Sequence, residues 1–179
     1  MEQKVDRRIR KTQGAIQASF KELLQAGTSL DDLSVKMICD KADITRKAFY
    51  DHYADKSELV LDFMDSYFDE LKLTCRDIND TKIQAKIELW IDFFTQNQTF
   101  FSNLLKSQNS YQFRKEFHAF TKEQLAFVIK DISQTELDFI CYGIDGIIEK
   151  IILSEQPIDK AKLASNVKTI LKPYLTQNI

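Results

Sequence analysis

Residues 34–58 read SVKMICDKADITRKAFYDHYADKSE. Ser34 is a favoured N-cap residue, so a helix is predicted to begin at Val35, with apolar residues at helical spacing. The helix is predicted to stop at Ala42 and Asp43, because aspartate is among the few residues besides glycine that tolerate the left-handed backbone of a tight turn. This part of the stretch therefore predicts one short helix that ends in a turn.

A second short helix is predicted directly after this turn. Ile44 is expected to fill the space between the two helices, and Thr45 is expected to cap the second one. Arg46 and Lys47 then lie in its first turn, and Phe49 is expected to face the core. A short helix with an exposed basic first turn is suited to the major groove of DNA, although two short helices also occur in other all-α proteins.

The start of a further helix is predicted from Asp55-Lys56-Ser57-Glu58. An acidic cap followed three residues later by glutamate resembles a capping box. Lys56 lies beside the exposed amides of this helix start, which is a position suited to a phosphate group.

The composition of the whole chain favours an all-α fold. The 179 residues are 44% apolar and 29% charged, which is typical of a globular protein with a substantial core. The two prolines, Pro157 and Pro173, come late, so no proline interrupts a helix before them. Apolar residues recur at three- and four-residue steps through most of the chain, and the pattern predicts about nine helices.

Charge is distributed unevenly along the chain. The net charge is −2 at pH 7, but residues 1–11 contain five basic and two acidic residues. A basic arm that leads into a DNA-reading helix is suited to phosphate contact, whereas alone it could equally be the solvated start of a helix. Residues 7–11 and Thr12 are secondary candidates for such contacts.

This arrangement resembles the amino-terminal domain of TetR/AcrR-type transcriptional regulators. The resemblance covers roughly residues 8–62, and the matching residues are Ala48-Phe49-Tyr50, His52-Tyr53 and Lys56-Ser57-Glu58-Leu59. Asp43 replaces the usual turn glycine, and Lys47 stands where glycine or proline is frequent. Both departures bear on which operator sequence is bound.

The resemblance implies an all-α protein with a helix-turn-helix DNA-binding domain over residues 1–56 and a larger helical regulatory and dimerisation domain over residues 57–179. The expected DNA-binding residues are Lys36, Thr45, Arg46, Lys47, Tyr50, His52 and Lys56. The three in the first helical turn are expected to contact base edges or adjacent phosphates, and the others to contact the backbone. His52 could equally be a surface residue at a helix end.

A homodimer is expected, because two recognition helices related by a twofold axis double the operator and set its spacing. The last two predicted helices, 135–153 and 159–171, carry apolar stripes, and TetR-like proteins usually dimerise through the corresponding pair. The expected interface residues are Ile140, Ile144, Ile147, Ile148, Ile151, Leu163 and Val167. Gly143 and Gly146 are expected to permit close helix approach. The alternative is that both stripes close the core of one subunit.

A small-molecule effector is expected in the second domain. The segment from Trp90 to Phe127 contains ten aromatic residues, and a pocket lined by such rings would accept a hydrophobic or aromatic ligand. The expected ligand-binding residues are Trp90, Phe94, Tyr111 and Phe117. The alternative is that these rings are ordinary core. The helix after Asp55 is long enough to belong to both domains and to link them.

The implied function is a DNA-binding transcriptional regulator, by family precedent a repressor, that leaves a palindromic operator when its ligand binds. The alternative is a TetR-like regulator that a protein partner controls, with no ligand of its own. Enzyme activity, cofactors and metals are not expected, because His52 and His118 are far apart and no nucleophile motif, phosphate loop or metal-ligand spacing occurs.

The sequence also indicates a compartment. Cys39, Cys75 and Cys141 are far apart and odd in number, which is typical of reduced thiols. The sequence has no apolar run of the length that a signal peptide or a membrane span needs. The expected location is the cytoplasm, with no membrane partner.

Overall fold

The computed structural model describes residues 2–74, 82–129 and 132–175. These residues form nine α-helices, which confirms the predicted all-α class. The helices are α1 Glu2–Gln25, α2 Val35–Ala42, α3 Arg46–Tyr50, α4 Lys56–Thr74, α5 Ile83–Gln96, α6 Gln98–Lys106, α7 Ser110–Val128, α8 Gln134–Leu153 and α9 Lys160–Leu171, followed by a 3-10 turn at Lys172–Tyr174.

The chain divides into two compact units, Met1–Tyr67 and Phe68–Ile179. Helix α4 contributes its first twelve residues to the first unit and its last seven to the second. The boundary predicted from the sequence, between residues 56 and 57, lies at the start of this helix.

The first unit is built on the inner face of α1, which packs against α2 and α3. Ile16, Phe20, Ile38 and Phe49 are all fully buried there. The ring of Phe20 stacks on that of Phe63 in α4, with 4.7 Å between their centroids. A helix of only five residues such as α3 is unstable alone, so this packing is what holds it in place.

The turn between α2 and α3 has the left-handed geometry that the sequence predicts. Asp43 has φ 52° and ψ 50°. The backbone N–H groups of Asp43 and Ile44 both donate to the carbonyl oxygen of Cys39, which satisfies an otherwise unpaired acceptor at the helix end. The turn thus fixes the direction in which α3 leaves α2.

A hydrogen-bond network around Tyr53 joins the end of the α3 segment to α1 and α4. The Tyr53 hydroxyl donates to Asp62 Oδ2 at 2.7 Å and accepts from the side-chain amides of Gln13 at 3.3 Å and Gln17 at 3.4 Å. Burial, with a smaller contribution from Asp62, raises the pKa of Tyr53, so the phenol remains a neutral donor. The network holds the carboxyl-terminal side of α3 in place.

A cluster of phenylalanine rings fills the second unit between α4, α5, α6 and α7. Phe94 and Phe101 are fully buried, with 4.9 Å between their ring centroids. Phe68, near the end of α4, stacks on Phe120 at 5.0 Å. The phenylalanine rings of this cluster therefore form core.

Three contacts between basic and acidic side chains join α7 to α8. A basic residue occurs at every fourth position of α7, and each faces an acidic residue of α8. The pairs are Arg114–Glu149 at 2.6 Å, His118–Asp145 at 2.7 Å and Lys122–Asp138 at 2.7 Å. Burial raises the pKa of Asp145, an effect that the hydrogen bond from His118 opposes. These contacts set the register between α7 and α8.

Several helix ends differ from the sequence prediction by a few residues. The sequence pattern predicts that the first helix begins at about Asp6, whereas α1 begins at Glu2, four residues earlier. Helix α8 begins at Gln134, because Ser133 and Glu136 form a reciprocal capping box that the Ser-x-x-Glu spacing could have revealed. The predicted turn at residues 79–80, the predicted start of the fifth helix at Thr81 and the possible extension of α4 to Cys75 lie outside the described residues.

Replacing Asp43 by glycine is expected to stabilise the protein by up to about 1 kcal/mol, because glycine enters the left-handed region without a Cβ clash. The matched control is Asp51→Gly, at a helix end with φ −71°. There glycine gains nothing and should destabilise by about 0.5–1 kcal/mol. Urea denaturation followed by circular dichroism gives both free energies of unfolding, and shifts of the same sign would contradict the strain assigned to Asp43.

Candidate nucleic-acid interface and effector cavity

Helix α3 is held by one cap and one buried ring. The Thr45 hydroxyl oxygen accepts a hydrogen bond from the backbone N–H of Ala48 at 3.1 Å, as the predicted N-cap requires. Phe49 is fully buried, which confirms its predicted core position. Because Phe49 faces inward, the residues on the other side of this short helix face solvent.

The side chains expected to read DNA lie on that outer side. Thr45, Arg46 and Lys47 are all exposed in or next to the first turn of α3. Tyr50 follows one turn later and is 53% exposed, with its ring edge-on to that of Phe49 at 5.6 Å. The structure therefore brings four of the seven predicted residues together on one short surface.

Lys36 and His52, which are also predicted to bind DNA, precede and follow this surface in the sequence, and their environments differ. Lys36 is exposed near the start of α2, and its ammonium pairs with Asp40 at 2.8 Å. Since both side chains are largely exposed, this pair is weak and exchangeable. His52 is half-buried just after α3, next to the ring of Tyr53 at 6.4 Å.

Lys56 makes hydrogen bonds within its own unit, and its contact with a phosphate stays a prediction. Its ammonium donates to the carbonyl oxygens of Leu30 at 2.8 Å, Leu33 at 2.8 Å and Asp31 at 3.4 Å. These bonds use all three of its N–H groups, so contact with a phosphate would require one of them to be given up. Lys56 fastens the loop before α2 to the start of α4.

The predicted capping box at the start of α4 is present. The backbone N–H of Glu58 donates to Asp55 Oδ1 at 2.9 Å. The Glu58 carboxylate accepts in return from the backbone N–H of Ala54 rather than that of Asp55. The loop that precedes α4 is therefore held by its own side chains.

The basic arm predicted at the start of the chain is helical and belongs to α1. Residues 7–11 are exposed, including four basic side chains. The hydroxyl of Thr12, a secondary candidate, donates to the carbonyl oxygen of Arg8 at 3.1 Å. The arm thus presents positive charge from an ordered helix.

The second unit contains an apolar cavity between α5, α7, α8 and α9. Ten of its fourteen lining residues are aliphatic, namely Ile83, Ile87, Ile91, Leu125, Ile144, Ile147, Ile148, Leu163, Val167 and Leu171. The others are Trp90, Lys86, Thr121 and Gln124. The volume of the cavity is about 70 Å³, so a molecule larger than this must spread the surrounding helices.

Of the four residues expected to bind a ligand, the structure places Trp90 in the cavity wall. Phe94 is fully buried in the aromatic cluster, and Tyr111 is 77% exposed. Phe117 is buried and borders a separate groove between α7 and α8. The cavity is lined by aliphatic residues because the rings pack on one another, which aromatic content alone does not reveal.

The residues expected at the dimer interface point into their own subunit. Ile140, Ile148, Ile151 and Val167 are buried in the single chain. The other three line the cavity, namely Ile144, Ile147 and Leu163. The apolar stripes of α8 and α9 thus contribute to the core of the second unit, and their role in a dimer interface stays a prediction.

The opposite face of α8 is exposed and unusual in composition. Phe139 is 78% exposed and Tyr142 is 66% exposed. Gly143 and Gly146 share this face, and a Cβ built on either would meet nothing within 4 Å among the described residues. The close approach expected at these glycines is therefore not made by the chain itself. The sequence contains this alternation of aromatic residues and glycines, but the isoleucine stripe on the other face of the helix is the stronger pattern and determined the prediction.

Two kinds of feature, a metal-ligand group and a membrane-spanning helix, do not occur in the part of the chain that the structure describes. No three His, Cys, Asp or Glu side chains in these ranges are grouped as metal ligands. None of the helices in the same ranges combines the length and apolarity that a membrane crossing requires.

Residues 81–173, just over half of the chain, match the family described as "Transcriptional regulator C-terminal region" (TetR_C_8). A curated relative, the uncharacterised HTH-type transcriptional regulator YxbF of Bacillus subtilis (strain 168), is 37% identical over 59 residues. That match covers 33% of this chain and 16% of the length of the relative.

Solved structures share the fold. A TetR transcriptional regulator from Streptococcus agalactiae 2603V has a TM-score of 0.74 at 24% identity, over 96% of this chain and 99% of that chain. The dihydroxyacetone kinase operon activator DhaS has a TM-score of 0.64 at 24% identity, over 92% and 98% of the two chains. NalD, the secondary repressor of the MexAB-OprM multidrug efflux pump in Pseudomonas aeruginosa, has a TM-score of 0.61 at 14% identity, over 95% and 98%.

The matching family consists of regulators of transcription and not of enzymes, in agreement with the expectation from the sequence. The family match spans the second unit from α5 to α9, and the helix-turn-helix of α2 and α3 precedes it. The chain belongs to the TetR family of transcriptional regulators.

Proposed function

We propose that this regulator binds a palindromic DNA operator as a homodimer in the cytoplasm, represses transcription, and is released when a small hydrophobic ligand enters the second unit. The observation that carries the proposal is the exposed first turn of α3, with Arg46 and Lys47 directed outward by the burial of Phe49. Repression fits a protein whose ligand removes it from DNA, because such a protein acts by occupying the operator.

Within the DNA interface, the side chains have different tasks. Arg46 and Lys47 donate to base edges in the major groove, and guanine is the preferred acceptor for both residue types. Thr45, Tyr50, His52 and the exchangeable Lys36 contact the phosphate backbone or adjacent base edges, which positions α3. Lys56 supports the interface from within through its carbonyl bonds.

The dimer forms through the exposed face of α8. A monomer gains nothing from glycine at positions 143 and 146, where glycine costs up to about 1 kcal/mol relative to alanine. Glycines without a neighbour allow a second helix to approach closely, and the flanking Phe139 and Tyr142 supply the aromatic surface that interfaces favour. Two copies of α8 that cross at these glycines would pair the DNA-binding units about a twofold axis.

The ligand acts on DNA binding through α4. Trp90 lines the cavity, and its indole N–H donates to the hydroxyl oxygen of Thr74, the last residue of α4, at 3.1 Å. A ligand that spreads the narrow cavity displaces Trp90 and with it the end of α4. Since α4 begins in the first unit at Lys56, its displacement shifts the population towards dimers whose recognition helices no longer match the operator spacing.

Replacing Arg46 by alanine is expected to weaken operator binding by about tenfold, because one bidentate base contact is worth about 1–3 kcal/mol. The operator is first selected from random duplexes, which also reveals its symmetry, and affinity is then measured by mobility shift at physiological salt. Lys106→Ala, an exposed charge removal in α6, is the matched control and should leave affinity unchanged. Equal affinities for the two variants would refute the role of α3.

Replacing Gly146 by glutamine is expected to weaken dimerisation by at least about tenfold, since a side chain would separate the crossing helices. The control is Gly14→Gln in α1, where a Cβ likewise meets nothing within 4 Å. Both changes should raise helix propensity by up to about 1 kcal/mol, so a loss of dimer cannot be ascribed to unfolding. Sedimentation velocity over a concentration series measures the effect, and two equally dimeric variants would exclude this face.

Replacing Thr74 by valine is expected to uncouple the ligand from DNA release, because the shape is kept while the bond from Trp90 is lost. A ligand found by thermal-shift screening of small hydrophobic compounds should still bind the variant but release it less readily from the operator. Thr95→Val is the control, because the Thr95 hydroxyl bonds the Ile91 carbonyl at 2.7 Å and not Trp90. If the screen finds no ligand and pull-down recovers a protein that alters DNA binding, control by a protein partner replaces this mechanism.

A further inference from the structure

We propose that the cavity of the second unit binds the straight aliphatic chain of an amphipathic anion, whose carboxylate or phosphate head group pairs with Lys86. The inference rests on the proposed function, because it names the ligand class for the same regulatory site. It changes the expectation from the sequence, which favoured a hydrophobic or aromatic molecule.

The shape and chemistry of the wall favour an alkyl chain over a ring system. Ten aliphatic side chains surround the cavity, and Trp90 is the single aromatic residue among those that line it. A cavity of about 70 Å³ must widen for either kind of ligand, and a rigid fused ring requires this widening all at once. A flexible chain can enter such a space in steps, and each buried methylene adds favourable transfer free energy.

The charge of the lining favours an anion. Lys86 is the one charged residue among the fourteen lining residues. Within the described ranges its ammonium has no ion pair or hydrogen bond. The two acids of the same helix have other partners, because Glu88 accepts from Gln84 at 3.3 Å and Asp92 pairs with Lys160 at 2.8 Å. Because Lys86 is half-buried, its methylene stem belongs to the wall while the ammonium can reach solvent.

The opposite wall of the cavity indicates which end of the ligand lies inside. Thr121 on α7 lines the cavity and is fully buried. Asp145 on α8 lies next to Thr121 and borders the separate groove between α7 and α8 rather than the cavity. An anionic head group placed at Thr121 would lie near this carboxylate, and the two negative charges would repel each other. The head group therefore lies at Lys86 on α5, and the chain extends from there into the aliphatic interior.

Trp90 makes the test direct, because it is the single tryptophan of the chain and lies in the cavity wall. Intact protein is titrated with octanoate, decanoate and decyl phosphate below their micelle concentrations, and indole fluorescence reports binding. Affinity should rise about fourfold per methylene from octanoate to decanoate. Naphthoate, a planar anion, and 1-decanol, a neutral chain, test the two parts of the ligand class separately.

Lys86→Gln is expected to weaken the binding of decanoate by about fivefold, the effect of a partly exposed ion pair, and to leave that of 1-decanol unchanged. Lys86→Arg should retain decanoate binding. The matched control is Lys115→Gln, which removes an exposed charge from α7 away from the cavity and should change neither ligand. Circular dichroism checks that each variant is folded.

Three outcomes would overturn the inference: naphthoate binding as tightly as decanoate, Lys86→Gln weakening both decyl ligands equally, or no fluorescence change with any alkyl anion. A comparison of decanoate with decyl phosphate decides between the two head groups. Mobility shifts with the same ligands keep the two proposals separate. Decanoate that binds at Lys86 without releasing DNA contradicts the proposed function alone, whereas a neutral or planar ligand that releases DNA contradicts the ligand class alone.

Discussion

The burial of Phe49 is the interaction on which the DNA-binding surface depends. A five-residue helix has too few internal hydrogen bonds to be stable alone, so α3 exists because this ring is enclosed by α1 and α2. The left-handed turn at Asp43 and the Thr45 cap set the direction of the helix, and the Tyr53 network holds its far end. Because these three features fix the orientation of α3, its outer side faces solvent.

Helix α8 serves two surfaces at once, and this explains why apolar residues lie on both its inner and its outer face. Its inner face closes the core and lines the cavity with residues such as Ile144 and Ile147. Its outer face carries exposed rings and two glycines that have no neighbour among the described residues. A ligand that displaces the inner face of α8 would therefore also displace its outer face, which contacts a second subunit in the proposed dimer. Cavity and interface would then respond to each other through one helix.

The helix-turn-helix was predictable from the sequence because its determinants are local. Ser34, Asp43 and Thr45 each specify a cap or a turn through their own backbone preferences, and the structure has all three as predicted. The cavity was less predictable because it depends on which side chains fill the space between helices far apart in sequence. The aromatic residues pack on one another and leave the aliphatic residues to line the gap. Lys56 shows the same limit, since its carbonyl partners lie more than twenty residues away.

Within α3, the residue that packs in the core is distinct from the residues proposed to contact DNA, and this separation has an evolutionary consequence. Arg46, Lys47 and Tyr50 are exposed and make little contribution to the core, so substitutions there change the free energy of unfolding by only about 0.5 kcal/mol. Phe49, between them, admits almost no change. Under the proposed role of α3, substitutions at these outward positions would change the DNA sequence that is bound while the fold is retained. Under the same role, a gene duplicate of this regulator could acquire a separate set of target genes through codon changes confined to α3.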